Sequence, residues 1–464
     1  MTNSHLARLQ RHLAAAGGRL YVGTVNGGLV LAGPQQAVLV LGPPRAGKTT
    51  AVAIPNVLCA PGPVIATSTK PDLLAATLAA RAQLGRCWLF DPSGTTSNLP
   101  GLTRLRWSPV AAATTWDESL VLARAMTRAA RPVGRHGESA HWTERAEALL
   151  APLLHAARLS DAGIESVLRW VLRQDLDAPQ AVLAGHGVDV GSDVLAGIAA
   201  TDPREQSGIW SSTAGVLAAY RSDAVLDNSA AVNFDPTSLI DTSDTVYICA
   251  SARQQDLVAP IVVAFLEQAR AGCYSAWGMS TSRPPLTLVL DEVANIAPLP
   301  DLPALVSEGG SQGVLTLACL QDLSQARARW GPAADGFLSL FGTKLVLPGI
   351  GDLSTLELVS RLGGEIDVPA RSVSRAPWWT GTGGGETVTW SNHRQRRLPV
   401  DAVSQQPLGT AVLLAGAQTP EQVGLPPWWH LEHLRPDRPV VVDAPEPGLA
   451  EPGRDRPRNR TIAE

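Results

Sequence analysis

A chain of 464 residues has room for about three domains at ~150 residues each, or for one large domain with an insertion. Its 45% hydrophobic content is that of a core-bearing globular protein. The formal charge of −4 excludes a global basic field, so any nucleic-acid contact must be local, as in a channel. Five cysteines (Cys59, Cys87, Cys249, Cys273, Cys319) show no C-x-x-C pairing and sit mostly in apolar runs. Buried, reduced thiols and a cytoplasmic setting are expected from that usage. Residues 1–20 lack the apolar stretch of a signal peptide, and no apolar run approaches the ~18 residues of a bilayer span. A protein soluble without detergent is therefore expected.

The first informative segment is "VLVLGPPRAGKTTAVAIPN", residues 38–56. Residues 42–49 fit G-x-x-x-x-G-K-[ST], preceded by an apolar strand pattern and followed by a helix-forming run. The phosphate-binding set is Gly42, Pro43, Pro44, Arg45, Ala46, Gly47, Lys48, Thr49 and Thr50. The two glycines let backbone N–H groups converge on phosphate oxygens, where the helix N-terminus adds partial positive charge. Lys48 would reach the β- and γ-phosphates, and Thr49 would ligate Mg²⁺. Lys48, Lys70 and Lys344 are the only lysines, so a compact ammonium here is selective use of that residue.

"VIATSTK" then reads as a strand ending at Lys70, followed by a helix, and "CWLFDPSG" as the next strand and turn. Between Trp116 and about Asn233 strand signals vanish. "SAHWTERAEALLAPLLHAARL" places Trp142, Ala146, Leu149, Leu150 and Leu153 on one helical face, with Ser139 as its cap. The tryptophans of this region are read as core rather than as stacking platforms for bases. Strand–helix alternation resumes with "DTVYICAS" and "DLVAPIVVAFLEQARAG". "PLTLVLDEVANIAPLP" is a buried-strand pattern closed by two acids. Asp291 would hold the Mg²⁺ shell, and Glu292 would orient and deprotonate the attacking water, on the strand next to the phosphate loop. "VLTLACLQD", "TKLVLPG" and "TAVLLAG" complete the series, predicting a mainly parallel sheet with helices on both faces. Function gathers at the carboxyl ends of such strands, where Lys48, Lys70, Asp91, Asp291 and Gln321 fall. "TGTGGGET" reads as a flexible loop, and the Pro- and charge-rich end from about Pro436 as a disordered tail.

Taken together these segments resemble the TraG/TraD-type coupling proteins of conjugation and type IV secretion. The phosphate loop with Pro55-Asn56 downstream, Lys70 with Asp72, Asp91-Pro92, Trp142 with Ala146 and Asp291-Glu292 carry the likeness. The run from Ser311 to Gln325 and "RRLPVDAV" at Arg397 extend it. The resemblance implies an α/β, RecA-like P-loop NTPase with a mainly parallel sheet and an all-α insertion domain. It implies ATP and Mg²⁺ as cofactors, and Gln321 as a strand-end sensor of the γ-phosphate. It also implies a homo-hexameric ring that passes DNA or a relaxase–DNA complex to type IV secretion channel components. The catalytic set is then Lys48, Glu292 and Gln321, with Thr49 and Asp291 at the metal.

Three departures accompany the likeness. The family's two N-terminal membrane helices have no counterpart, so a separate membrane-anchoring partner is expected, with the chain peripheral at the inner face of the membrane. The strand-end "D-P-K" is Ser68-Thr69-Lys70, and the "G-R" that carries the family's candidate trans arginine is Gly309-Gly310. Arg253, after the strand "VYICA", is the substitute finger. The expected division is 1–112 and 236–430 for the nucleotide-binding domain, 113–235 for the insertion and 431–464 for the tail. The expected activity is ATP-driven translocation by a coupling protein; a septal-type DNA translocase and a non-hydrolysing ATP-binding scaffold are the alternatives.

Overall fold

Short Val/Leu/Ile runs that cannot reach helical length become the strands of one twelve-stranded sheet. The computed structural model describes residues 18–96, 99–130, 137–280, 283–375 and 386–431. The first strands in chain order are β1 (Tyr21–Val25), β2 (Gly28–Leu31), β3 (Val38–Leu41), β4 (Val64–Ser68), β5 (Cys87–Phe90) and β6 (Leu102–Arg104). After a long helical stretch come β7 (Thr245–Cys249), β8 (Leu286–Leu290), β9 (Val314–Leu320) and β10 (Thr343–Val346). A hairpin of β11 (Glu365–Arg375) and β12 (Glu386–Arg396) stands apart as its own two-stranded sheet, and β13 (Thr410–Ala415) and β14 (Glu421–Gly424) return to the main one. The spatial order is β2-β1-β14-β13-β10-β3-β9-β8-β4-β7-β5-β6. From β10 to β6 every neighbour is parallel, and from β13 to β2 every neighbour is antiparallel.

Strand alternation sorts the core into two layers. In β3, Leu39 and Leu41 face one layer and Val38 and Val40 the other, and all four are fully buried. Helices Ile54–Cys59 and Asp72–Arg81 cover the second layer. The first is covered by Trp116–Ala130 and Gln255–Met279, whose Phe265 meets Phe90 at 4.7 Å between ring centroids and Trp107 at 5.7 Å. Gln255–Met279 is long and apolar enough, by length and composition only, to cross a bilayer, although its unbroken apolar run, residues 257–266, stays well short of a span, as the sequence predicts. Its apolar residues from Val258 to Leu266 are buried in this core.

Between β6 and β7 the described residues are helical, as the loss of strand pattern predicted. Trp210 is buried, while Trp116, Trp142 and Trp170 are partly buried against the core, so packing is their role. The helix holding Trp142 starts at Gly137, so Ser139 lies within it rather than capping it. Arg81, inconspicuous in sequence, is fully buried. It donates to the carbonyls of Ala60 (2.8 Å), Gly62 (2.7 Å) and Ser243 (3.2 Å) and to the Thr245 hydroxyl (2.7 Å). Burial lowers its pKa to about 10, which leaves it charged at neutral pH. The tail, residues 1–17 and most of "TGTGGGET" lie outside the described residues.

Candidate nucleotide site

The phosphate loop joins β3 to a helix that opens at Lys48. Its first turns, Lys48–Ala53, are π-type, and an α-helix continues over Ile54–Cys59. Pro55 explains the wide start, because it has no N–H to offer the carbonyl four residues back. Gly47 (φ 99°) and Arg45 (φ 67°) are left-handed, the alternation that turns successive N–H groups towards one concavity. Lys48 is buried inside the loop, with Nζ donating to the carbonyls of Gly42 (2.5 Å) and Pro43 (3.0 Å). Pro44 and Arg45 are exposed on its rim, and Thr49 and Thr50 are half-buried at the helix start.

Asn56 explains why a Pro-Asn pair follows the loop. Its Oδ1 accepts from Tyr21 N at 2.8 Å, and its Nδ2 donates to Tyr21 O and Val52 O, each at 2.9 Å. One amide thus ties the loop's helix to β1.

Asp291 and Glu292 leave the end of β8. The sequence reading set them on the strand next to the phosphate loop; in the structure β9 lies between, with Val38 opposite Leu317 and Leu290 opposite Ala318. The gap is bridged by side chains. Thr49 Oγ1 donates to Asp291 Oδ2 at 2.7 Å, and Thr67 Oγ1, from β4, donates to the Asp291 carbonyl at 2.8 Å. Gln321 follows β9 directly, so the intervening strand sets it between loop and acids.

Burial is the main force raising the Asp291 carboxyl above its ordinary pKa, opposed by the Thr49 hydroxyl and the Lys48 charge. Burial also raises Glu292, the Asp291 charge adds to it, and Lys48 opposes. Glu292 is held at φ 57°, a left-handed backbone costing about 1 kcal/mol or more for a non-glycine residue, at a position set by its neighbours. Asn295 Nδ2 donates to its Oε2 at 3.2 Å.

The other strand-end residues separate from this group. Lys70 is exposed, its N–H bonded to Ser68 Oγ at 3.3 Å. Asp91, five strands from β3, accepts from the N–H groups of Ser93 (3.1 Å), Gly94 (2.9 Å) and Thr96 (2.5 Å), so it shapes its own turn. Arg253 is exposed in the turn after β7. Gly310 has a definite reason to be glycine: a Cβ there would stand 1.9 Å from the Gln35 carbonyl oxygen. No side chain fits at Gly310 without moving that loop. Sequence reasoning missed Thr67, Asn295 and Gln325, since hydroxyl and amide side chains acquire a role only from what the sheet sets beside them.

The donor set fits a small hard cation: one hydroxyl and one carboxylate, with phosphate oxygens and water to complete the shell. No cluster of three or more His, Cys, Asp or Glu side chains able to cage a metal occurs among the described residues, and Thr49 and Asp291, 2.7 Å apart, could hold one beside bound phosphates.

A mainly parallel sheet with this loop and these acids at its strand ends, and helices inserted between β6 and β7, defines a RecA-like P-loop NTPase fold. The chain belongs to the type IV secretory system conjugative DNA transfer family, whose model matches residues 7–435. It is similar in fold to the unbound bacterial conjugative coupling protein TrwBdeltaN70, at TM-score 0.66 and 18% identity over 92% of each chain. The plasmid coupling protein TrwB with the non-hydrolysable ATP analogue ADPNP matches at TM-score 0.64 and 17% identity over 89% of each chain. The same protein with ADP and Mg²⁺ matches at TM-score 0.62 and 17% identity over 88% of each chain. No curated protein sequence matches.

Proposed function

We propose that this chain is an ATP-hydrolysing coupling protein that recruits DNA or a relaxase–DNA complex and drives it towards a type IV secretion channel. The observation that carries the reading is the 2.7 Å bond between Thr49 and Asp291, which brings phosphate loop and acidic strand end into one site. TrwB with ADPNP and with ADP and Mg²⁺ supports ATP and Mg²⁺ as the cofactors here.

When bound, ATP would supply the transferable phosphoryl group, and Mg²⁺, held by Thr49 and Asp291, would supply positive charge beside it. The chain's own residues do the rest. Backbone N–H groups of Arg45 and of residues 47–50 would hold the phosphates, and Lys48 would exchange the carbonyls of Gly42 and Pro43 for phosphate oxygens. Thr49 and Asp291 fix the cation. Glu292, whose raised carboxyl is a better base than a solvated one, orients a water and takes its proton. Gln321, at the end of β9, would sense the γ-phosphate.

The working form in this reading is a homo-hexamer at the cytoplasmic face of the membrane, docked on channel components. Residues 113–235 form its insertion domain, 1–112 and 236–430 its nucleotide-binding domain, and 431–464 its tail. The crowded position at Gly310 favours one rival, a scaffold that binds ATP without turning it over. A DNA-stimulated ATPase assay separates the two. The parent should hydrolyse ATP; Lys48→Ala should lose about 10²–10³ in rate, and Glu292→Gln should bind ATP without turnover. An inactive parent that still binds ATP would establish the scaffold.

A further inference from the structure

The two acids sit on a turn, residues 291–296, that is fixed from both sides. Thr67 on β4 donates to the Asp291 carbonyl at 2.8 Å, and Val293 N donates to Cys319 O of β9 at 3.3 Å. Inside the turn, Asn295 N and Ile296 N both donate to the Glu292 carbonyl at 3.0 Å, and Val293 and Ile296 are fully buried. These contacts place the Glu292 backbone, with its φ of 57°, but not its carboxylate. Several side-chain torsions separate the two, and each staggered choice sends the oxygens to a different place. Asn295 reaches the far end of that side chain, its Nδ2 donating to Glu292 Oε2 at 3.2 Å. A carboxylate only accepts, which turns the nitrogen of the amide towards Glu292. Gln321 is served separately, its N–H donating to Gln325 Oε1 at 3.0 Å on the helix that follows it.

We propose that Asn295 is a positioning residue for hydrolysis, holding the Glu292 carboxylate in the one rotamer from which it orients the attacking water. The inference rests on the reading of Glu292 as the water-orienting base. Asn295 grips the same glutamate at both ends, the carbonyl through its main-chain N–H and the carboxylate through its amide. Its short side chain, set between the buried Ala294 and Ile296, passes the position of the anchored turn to the carboxylate. Misplacement of a catalytic group by about 1 Å costs on the order of 10²-fold in rate, which is the scale of effect this bond controls.

The test uses Asn295→Asp, Asn295→Ala, Asn295→Gln and Glu292→Gln in the full chain. For each, kcat and KM for ATP, Kd for a non-hydrolysable ATP analogue and the unfolding temperature are measured. Aspartate has the shape of asparagine and keeps the main-chain bond to the Glu292 carbonyl, but its carboxylate cannot donate to Glu292 and repels it. A contact that only stabilises the turn would lower the unfolding temperature and leave kcat of the folded enzyme unchanged. The positioning role predicts kcat reduced about 10- to 100-fold in Asn295→Asp and Asn295→Ala, with Kd for the analogue within about twofold of the parent. Asn295→Gln, which keeps an amide donor, should recover part of that loss; if Asn295→Ala fails to fold, Asn295→Asp carries the test. Parental kcat in Asn295→Asp beside an inactive Glu292→Gln overturns the proposal and leaves the site reading intact. A rise in kcat, or a loss confined to nucleotide binding, overturns it as well. Parental kcat in Glu292→Gln overturns the site reading itself, and the proposal with it.

Discussion

Gly310 shows how much a single position can decide. The resemblance points to an arginine there, yet the main chain of Gln35 occupies the space that any side chain would enter. Gly310→Arg should therefore fail to restore a finger and should destabilise the chain by about 1–3 kcal/mol, the usual range for overpacking; denaturant unfolding measures it. The cysteines offer a second test at this scale. All five are buried and free. Burial pushes Cys59 and Cys249 up to about 12, Cys87 and Cys273 up to about 11, and Cys319 well above the ordinary 9.0. Above pH 9 the unfolded chain releases these protons and the folded chain does not, so ∂ΔG/∂pH is negative. Their stabilising share is complete below the ordinary thiol value and is lost as pH rises towards 11 to 12. Melting temperatures from pH 7 to 10.5 should fall progressively above pH 9, less so in a variant with Cys59→Ser and Cys249→Ser.

Among the elements, the β11–β12 hairpin is the least bound to the rest. Its strands pair in unbroken register from Glu365 opposite Arg396 to Arg375 opposite Glu386, and Trp390 is 67% exposed. Its base is closed independently of the strands, since Arg397 N donates to Gly364 O at 2.9 Å. Replacing residues 365–396 with a two-residue turn should leave ATP binding and the unfolding midpoint within error of the parent. A collapse in stability would show that the hairpin supports the core. Gln255–Met279 teaches the opposite lesson: its length and composition would allow a bilayer span, whereas its packing partners are the sheet and the helix Trp116–Ala130.

For the whole molecule, the lack of space at Gly310 and the exposure of Arg253 at the end of β7 together direct the question of the trans arginine. An arginine inserted from a neighbour is worth about 10³–10⁵ in rate. If Arg253 acts in trans, mixed rings of Arg253→Ala and Lys48→Ala subunits should regain part of the activity that each lacks alone, measured per subunit in co-assembled samples. No recovery in demonstrated mixed rings would remove Arg253 from the site. DNA binding should likewise appear with assembly and fall steeply with salt, because a chain of net charge −4 attracts DNA only where a ring gathers arginines around one channel.

Lys48, Thr49, Asp291 and Glu292 could be singled out in sequence because phosphate and metal chemistry restrict both residue type and local context. The parallel sheet and the helical stretch were equally legible, since strand and helix periods differ and the pattern changes at Trp116. The strand order was not. Nothing local says that β9 separates β3 from β8, and only that order places Gln321 between loop and acids. The partners of Asn56, Arg81 and Gln325 are likewise set by packing. A polar side chain in sequence declares its donors and acceptors, but the groups they satisfy come from distant segments that meet only when the sheet assembles.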